Sequence, residues 1–412
     1  MSHQCAPGAV LRSISENRIS NSSFRNGHSL TDCRSINNFL PGGKLKQSLR
    51  ATLKRGSFAG VATAGAAALL LAGCGSAPSA SSSGSATKSD YTACMVSDSG
   101  GFDDKSFNQS GYEGLQAAAK DLNIQEKHVQ SKADTDYDPN LRSMVQQGCK
   151  LTVTVGFLLG DATKNIATAN PNSHFAIIDY SDPTFPKNVK PIVYDTAQAA
   201  FLAGYLAAGT SKTGKVATFG GLNIPTVSIF MDGFSDGVKY YNQKKGKSVQ
   251  LLGWDKDKQD GTFVGDFKQV DKGKVLTQGF LDQGADVILP VAGPVGAGAG
   301  SAILDAKAKG TDAKLIWVDS DGYLTAPAYK SVILTSVQKT MATAVETVIK
   351  SDKDGKFDPS PYVGTLDNGG VALAPFHDLD SAVPADMKSD LDQLKKDIIS
   401  GAVKVESKSS PK

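Results

Sequence analysis

From Tyr91 onward, the chain alternates short apolar runs with stretches whose apolar residues recur at helical spacing. The short runs have the residue types and lengths of β-strands. They are Tyr91–Ser97, Leu151–Val155, His174–Ile178, Lys215–Phe219, Val249–Leu252, Val287–Pro290, Leu315–Val318 and Ser331–Thr335. Near-continuous apolar strands that alternate with helices favour parallel sheets covered by helices on both faces. We therefore predict an α/β fold.

Cap and turn signals add further elements. Asp195 is followed by Gln198 three positions on, which predicts the start of a helix with Asp195 as its N-cap. Near the end of the chain, Tyr362–Leu366 and Val371–Ala374 flank a short turn sequence and predict a β-hairpin. The segment Pro384–Ile399 predicts a last helix.

The size and composition predict two lobes of ordinary globular structure. About 320 residues follow position 90, whereas a single hydrophobic core rarely grows beyond about 250–300 residues. The composition is 40% hydrophobic and 21% charged, which excludes wholesale disorder, collagen and coiled coil. No internal sequence repeat is visible.

The positive charge of the chain is concentrated at its beginning. The formal net charge is +3, from 44 basic and 41 acidic residues. Residues 1–73 hold nine basic and two acidic side chains, which leaves 35 basic and 39 acidic residues, or a net charge of −4, for the remainder. A nucleic-acid-binding surface is therefore not expected on the folded body.

Residues 44–73 have the pattern of a secretory signal: a basic run, an apolar run of about 16 residues and small residues at the end. The apolar run is shorter than the ~20 residues of a membrane-spanning helix. The closing sequence Leu-Ala-Gly-Cys74 resembles the lipobox of bacterial lipoproteins. The resemblance implies cleavage before Cys74 and a diacylglycerol on its sulfur. An uncleaved anchor helix is the alternative.

The segments on either side of the signal have different characters. Residues 1–43 are polar and fit no part of a signal, so we expect either a start codon assigned too far upstream or an unusual long leader. Residues 74–89 are rich in Gly and Ser, which is typical of a flexible linker. The body would then begin near Asp90 and be tethered outside a membrane.

The loop after the first predicted strand carries a recognisable motif. Ligands of parallel α/β sheets bind at the carboxyl ends of the strands, where this loop lies. Its sequence, Asp103-Asp-Lys-Ser-Phe-Asn-Gln109, resembles without a gap the signature of the basic membrane protein family of bacterial lipoproteins, the purine nucleoside receptors of import systems. Further segments resemble the family in the same order: Gly156–Leu158, Ala200–Ala208, Gly284–Ile288, Val318–Asp321 and Ile333–Lys339.

The resemblance implies a two-lobed type I periplasmic-binding-protein fold, in which each lobe is a doubly wound parallel sheet with helices on both faces. We place 90–196 and about 318–345 in the first lobe, and 197–317 and about 346–406 in the second. The resemblance also implies a lipid-anchored protein on the extracytoplasmic face of the cell membrane that delivers its ligand to an ABC permease and its ATPase. We expect a monomer that carries out no chemistry.

At one end of the implied site, side chains would hold the base. By the resemblance, Asp98 would accept hydrogen bonds from the base edge, and Phe107 and Phe267 would stack on its two faces, with Phe263 as a rival for Phe267. Asn108 belongs to the same ligand site. Stacking on an aromatic ring contributes about 1–3 kcal/mol per base. A carboxylate suits a base edge with N–H donors, which guanine and hypoxanthine provide.

At the other end, side chains would hold the sugar. The resemblance brings the backbone of Gly293 close to the ribose, and assigns Asp319 and Lys339 to its hydroxyls, with Asp321 as a rival for Asp319. A carboxylate can accept both hydroxyl protons of a vicinal diol, so a preference for ribosides over deoxyribosides is expected. The loop Ala292–Gly296, which lies at this end of the implied site, departs from the family pattern.

Other motifs have simpler interpretations. Asp103 and Asp104 lack further acids at calcium-loop spacing, and we interpret them as helix-start acids. The glycines at 293–300 lack the endings of phosphate-binding loops. Gly233–Gly237 matches a nucleophile elbow, but its apolar residues show helical spacing, so Ser235 is not expected to be catalytic. We predict no catalytic residue, metal site or cofactor.

Two cysteines of the body, Cys94 and Cys149, lie near the starts of predicted strands that are expected to be neighbours. An extracytoplasmic location would permit a disulfide between them, and free buried thiols are the alternative.

Three other functions stay open. Aromatic rings and acids also suit a pyranose, so the chain could be a receptor for a sugar or another small metabolite. A surface enzyme acting on nucleosides would need an acid cluster or a metal to activate water, and the sequence shows neither. A surface adhesin or signalling lipoprotein without a ligand is the third alternative.

Overall fold

The computed structural model describes residues 89–411. The predictions for 1–43, 44–73 and the linker up to residue 88, including lipidation of Cys74, lie outside the described residues. Within the part of the chain that the structure describes, no helix combines the length and the apolar character needed to cross a membrane.

Strands and helices alternate along the body, as the hydrophobic pattern predicts. The strands are β1 (Thr92–Ser97), β2 (Gln125–Gln130), β3 (Leu151–Val155), β4 (His174–Ile178), β5 (Val189–Tyr194), β6 (Lys215–Gly220), β7 (Gln250–Leu252), β8 (Trp254–Asp255), β9 (Asp260–Gly261), β10 (Val287–Val291), β11 (Lys314–Asp319), β12 (Ile333–Lys339), β13 (Tyr362–Gly364) and β14 (Val371–Leu373). The α-helices are α1 (Phe107–Asp121), α2 (Tyr137–Gln146), α3 (Gly160–Ala169), α4 (Thr196–Thr210), α5 (Pro225–Lys245), α6 (Val270–Asp282), α7 (Gly296–Ala308), α8 (Gly322–Thr325), α9 (Met341–Lys353) and α10 (Ala385–Ile399).

The first lobe is built on a parallel sheet with the strand order β13-β5-β4-β3-β1-β2. Alternate residues of β1 face opposite sides. Ala93 and Met95 share a core cluster with residues of α1 and α9, whereas Cys94 and Val96 share another with residues of α2 and α3. Helices therefore cover both faces of this sheet, which is why its central strands are apolar along their whole length.

The second lobe repeats this plan with the order β14-β12-β11-β10-β6-β7. Only β14 runs antiparallel to its neighbour in this sheet. Helices α4 and α5 pack on one side, and α6 and α7 form the core on the other. Position by position, β1, β3, β4, β5 and β13 correspond to β6, β10, β11, β12 and β14. The predicted fold of two doubly wound sheets is confirmed.

The lobe boundaries are not all as predicted. We expected about 318–345 to return to the first lobe, but β11 and β12 pair with β10 and with each other in the second sheet. The chain returns to the first lobe only at α9, which packs on α1. The predicted hairpin is also wrong, because β13 pairs with β5 of the first sheet and β14 with β12 of the second. The intervening turn therefore crosses between lobes.

Helices α4 and α5 approach closely, and glycines permit it. An added Cβ at Gly233 would lie 2.2 Å from the Ala197 oxygen, and one at Gly237 would lie 2.0 Å from the Phe201 oxygen. The glycines of the sequence that matched a nucleophile elbow thus serve helix packing, and Ser235 lies within α5.

Cys94 and Cys149 are joined by a disulfide in the structure. Cys94 lies on β1, and Cys149 lies just before β3, its parallel neighbour. Together they belong to the core cluster beneath α2 and α3.

The last residues of the described chain contact the second lobe and the connection from β5 to α4 that leads into it. The Ser407 hydroxyl donates to the buried Asp232 carboxylate of α5 at 2.6 Å. Ser410 donates to Asp195, the N-cap residue of α4, at 3.1 Å. Because α4 begins directly after β5 of the first sheet, this tail reaches a connection between the lobes.

Candidate functional site

One cavity lies between the lobes, at the carboxyl ends of both sheets, and has about 540 Å³ of empty space including the part open to solvent. All seven ligand-binding residues expected from the sequence line it: Asp98, Phe107, Asn108, Phe267, Gly293, Asp319 and Lys339. Strand ends from the first lobe supply Asp98, and strand ends from the second supply Asp319 and Lys339. The topology thus brings together residues up to 241 positions apart in sequence.

The acceptor end of the cavity contains Asp98, Asn108 and Asp104. The Asn108 amide nitrogen donates to Asp98 Oδ1 at 3.2 Å and to Asp104 Oδ2 at 3.3 Å. Its amide oxygen is buried and has no hydrogen-bond partner among the described residues. Burial raises the pKa of Asp98 well above its usual range, although the Asn108 hydrogen bond acts in the opposite direction. This end therefore offers buried acceptors to a ligand.

Asp104 holds the start of α1 in place. Its carboxylate accepts the backbone N–H groups of Ser106, Asn108 and Gln109 at 2.9–3.0 Å. Asp104 is therefore a helix-start acid, as the sequence predicts, since negative charge is favoured at a helix N-terminus. The Ser106 hydroxyl is free to donate elsewhere, to Asp319 Oδ2 at 2.9 Å.

Aromatic rings form the walls of the cavity. Phe107 is the first residue of α1, and Phe267 lies in the loop before α6. The rival Phe263 does not belong to the lining, because its ring packs edge-on against Trp254 with centroids 6.0 Å apart. Sequence reasoning missed Phe230 of α5, which also lines the cavity. Its helical spacing is that of a core residue, so no signal in the sequence distinguished it.

A buried ion-pair cluster occupies the other end. Lys339, whose side chain is 3% exposed, pairs with Asp179 and lies 3.3 Å from Asp319. Its ammonium also lies 4.9 Å from the ring centroid of Phe107 and 5.1 Å from that of Phe230, within cation–π range. Burial alone would lower the pKa of Lys339, but the two carboxylates outweigh it and the pKa is raised. The lysine is therefore charged.

Asp179 is a site residue that sequence reasoning missed. It follows β4 and accepts a hydrogen bond from Thr226 of α5 at 2.5 Å, in addition to Lys339. A signal was available, because His174–Ile178 was a predicted strand and the next residue stands at its carboxyl end.

Asp319 is the last residue of β11, the strand of the second sheet that corresponds to β4, and it is buried. Burial raises its pKa, while Lys339 acts in the opposite direction. Asp179 and Asp319 both adopt left-handed backbone conformations, with φ of 66° and 69°. Such conformations are rare outside glycine and concentrate at functional sites. The rival Asp321 does not belong to the cavity lining; it caps α8 and pairs with His377 at 2.8 Å.

Gly293 follows β10 and begins a short 3₁₀ turn, Gly293–Val295. Its φ is 53°. Gly293 and Pro294 both line the cavity, so the loop that departs from the family pattern contributes backbone to the wall.

Between residues 89 and 411, no group of three or more His, Cys, Asp or Glu side chains is arranged to hold a metal ion. The carboxylates of the cavity contact Lys339, hydroxyl groups, backbone amides or the side-chain amide of Asn108.

The chain resembles known proteins over nearly the whole described body. Residues 91–409 match the family Bmp, described as ABC transporter substrate-binding protein PnrA-like. The ABC transporter nucleoside-binding protein BmpA of Lactococcus lactis is 34% identical over 372 residues, which cover 86% of this chain and 100% of that protein. Basic membrane protein A1 of Borrelia garinii is 29% identical, over 73% of this chain and 84% of that protein.

A solved structure has the same architecture. The solute-binding protein of an ABC transporter system from Aeropyrum pernix aligns with a TM-score of 0.69 and 26% identity, covering 76% of this chain and 92% of that chain.

Proposed function

The chain belongs to the Bmp family of PnrA-like ABC transporter substrate-binding proteins, and from this premise we propose that it captures a purine nucleoside. One observation carries the proposal. The cavity between the lobes has aromatic walls, buried acceptors at one end and a charged cluster of Lys339 with two carboxylates at the other. A nucleoside offers the complementary set: a flat base, an edge with N–H donors and a ribose diol.

The acceptor end suits a purine with neighbouring N–H donors. Phe107 and Phe267 would stack on the base, and Asp98 and the unpartnered Asn108 oxygen would accept its N–H groups. A guanine edge supplies two such donors. At the other end, Asp319 and Lys339 would bind the ribose hydroxyls, and the backbone at Gly293 would lie beside the sugar.

The charge balance supports a nucleoside over a nucleotide. Lys339 is the only cation among the described residues that line the cavity, and two carboxylates already neutralise it. Asp98 and Asp104 add further acidic groups. A phosphate would therefore enter a site with no free positive charge, which is unfavourable.

We further propose that the protein is a monomer, lipid-anchored through Cys74 on the extracytoplasmic face of the cell membrane. It would present its ligand to an ABC permease and its ATPase. Because the family consists of substrate-binding proteins, we propose that the site binds its ligand without chemistry.

Calorimetry on the full-length chain, stripped of copurified ligand, tests the proposal. Guanosine, inosine, adenosine, cytidine, ribose and GMP are titrated. We expect binding of purine nucleosides, little or none of GMP, and loss of binding in Phe107→Ala. Phe263→Ala is the matched control, since this phenylalanine lies outside the lining. Binding of ribose without binding of nucleosides would favour the sugar receptor, and free base detected in the titrated samples would favour the enzyme.

A further inference from the structure

A second group of contacts joins the lobes beside the cavity. The backbone oxygen of Lys105, in the loop of the first lobe before α1, accepts three donors of the second lobe. They are Trp317 Nε1 at 3.3 Å, Ser320 Oγ at 2.9 Å and Thr325 Oγ1 at 2.8 Å. The Ser320 and Thr325 hydroxyls also lie 2.9 Å from each other. One carbonyl thus collects hydrogen bonds from β11, the residue after it and α8.

The backbone of Lys105 is held in an uncommon conformation at this point. Its φ is 62°, in the left-handed region that side-chain-bearing residues rarely adopt. The neighbouring residues fix it there. The Lys105 N–H donates to Gln109 at 3.2 Å, and Asp104 caps the helix that follows. A strained residue persists only where the surrounding contacts over-determine it.

None of these contacts involves the proposed ligand site directly. Lys105, Trp317, Ser320 and Thr325 are absent from the residues that line the cavity. Their immediate neighbours are present, however, since Asp104 and Phe107 flank the Lys105 loop and Val318 and Asp319 follow Trp317. These contacts can therefore hold the two halves of the cavity together without touching its ligand.

We propose that the Lys105 carbonyl, with the Ser320 and Thr325 hydroxyls, is a latch that holds the lobes closed independently of ligand. The latch sets the fraction of molecules in the binding-competent, closed form. The apparent Kd equals the intrinsic Kd divided by that fraction, so the latch tunes the affinity for every ligand equally. This consequence for affinity rests on the proposed function, whereas the closure itself does not.

The test removes two of the three donors in the full-length chain, with the double variant Ser320→Ala/Thr325→Val. Trp317 reports on the latch through its indole edge, because the ring packs on Tyr329 within the second lobe and its N–H donates across the lobes to the Lys105 oxygen. The chain has two tryptophans, so Trp254→Phe in every protein leaves Trp317 as the only one. Acrylamide quenching is measured without ligand, and circular dichroism confirms folding.

We expect stronger quenching in the double variant and unchanged quenching in two controls. Thr168→Val removes an exposed hydroxyl that donates within α3, to the Lys164 oxygen at 2.7 Å. Thr325→Ser keeps the latch hydroxyl. If guanosine and inosine bind, both should bind about tenfold more weakly to the double variant, with the ratio of their Kd values unchanged; tenfold corresponds to about 1.4 kcal/mol.

The outcomes separate the latch from the ligand assignment. Stronger quenching supports the latch even if no nucleoside binds. Quenching equal to that of the parent protein overturns the latch even if nucleosides bind tightly. A change in the ratio of the two Kd values would also contradict it, because it would mean that these hydroxyls contact the ligand.

Discussion

Asp179 of the first lobe and Asp319 of the second stand at the same place in two sheets of the same strand order. Asp179 directly follows β4, and Asp319 is the last residue of the equivalent strand β11. Both residues have left-handed φ angles. Each carboxylate accepts a hydrogen bond from a hydroxyl of the opposite lobe: Thr226 donates to Asp179, and Ser106 donates to Asp319. The repeated scaffold therefore supplies a symmetric pair of acids that joins the lobes.

The strands beside them break this symmetry. Lys339 ends β12, and Tyr194 ends β5 at the equivalent position. Asp98 follows β1, whereas Gly221 follows β6. The first lobe therefore adds an acid where the second has a glycine, and the second adds the only lysine of the described lining. The shared architecture therefore shapes the cavity, and single residue differences at the strand ends give it two chemically different ends.

The largest effect is expected from removing the asymmetric cation. Lys339→Met would leave the buried carboxylates of Asp179 and Asp319 without a cation, so the free energy of unfolding should fall by about 3–5 kcal/mol. Thermal or denaturant unfolding measures this loss. Lys212→Met is the matched control, because this lysine and its partner Asp312 are both largely exposed and surface pairs contribute at most about 1 kcal/mol. A loss no greater than that of the control would contradict the role of the cluster.

An intermediate effect is expected when each of the two symmetric acids, Asp319 and Asp179, is replaced by Asn in turn. If Asp319 binds the ribose diol, Asp319→Asn should weaken guanosine binding about ten- to hundredfold, as expected for a hydrogen bond to a charged group. It should also reduce the preference for guanosine over 2′-deoxyguanosine, whereas Asp179→Asn should weaken both ligands alike. Calorimetry with the two nucleosides measures the ratio. Loss of the preference in Asp179→Asn alone would place the sugar against the first lobe.

The smallest effect is expected in the pH dependence of ligand affinity, and it concerns Asp98, the acid that only the first lobe has. Burial raises the pKa of Asp98 in the free protein, and a ligand N–H donated to the carboxylate favours its ionised form. Binding should therefore release a proton below that raised pKa, and affinity should fall at most about tenfold per unit as the pH drops through it. Calorimetry in buffers of different ionisation enthalpy measures the released proton. Asp98→Asn should abolish it, and a proton release that persists in this variant would assign it to another group.

The local pattern predicts strands better than it predicts their partners. The central strands are apolar along their length and were found within one or two residues. The missed strand β2 is an edge strand with the polar sequence Gln-Glu-Lys-His-Val-Gln, and the missed β5 contains Pro191. Which sheet β11, β12 and β14 join depends on contacts between distant segments, and no local pattern encodes it.

The candidate site was accessible from the sequence for a physical reason. Its polar residues stand directly after strands or on the motif-bearing loop, so strand ends and one family signature locate Asp98, Asn108 and Asp319. Phe230 was not accessible in this way, because its side chain reaches the cavity from a helix whose apolar residues also fill the core. The Lys105 contacts could not be predicted at all, since they depend on a backbone carbonyl and its φ angle.

The connections between lobes also have a consequence for biosynthesis. The first lobe lacks α9, the helix that packs on α1, until residues 341–353 have been made, and the second lacks β14 until residues 371–373 follow. The tail contact of Ser407 with the buried Asp232 comes later still. Neither lobe can therefore be completed until these late segments have been synthesised. The early strands of both sheets must remain without their last partners while most of the described chain is made.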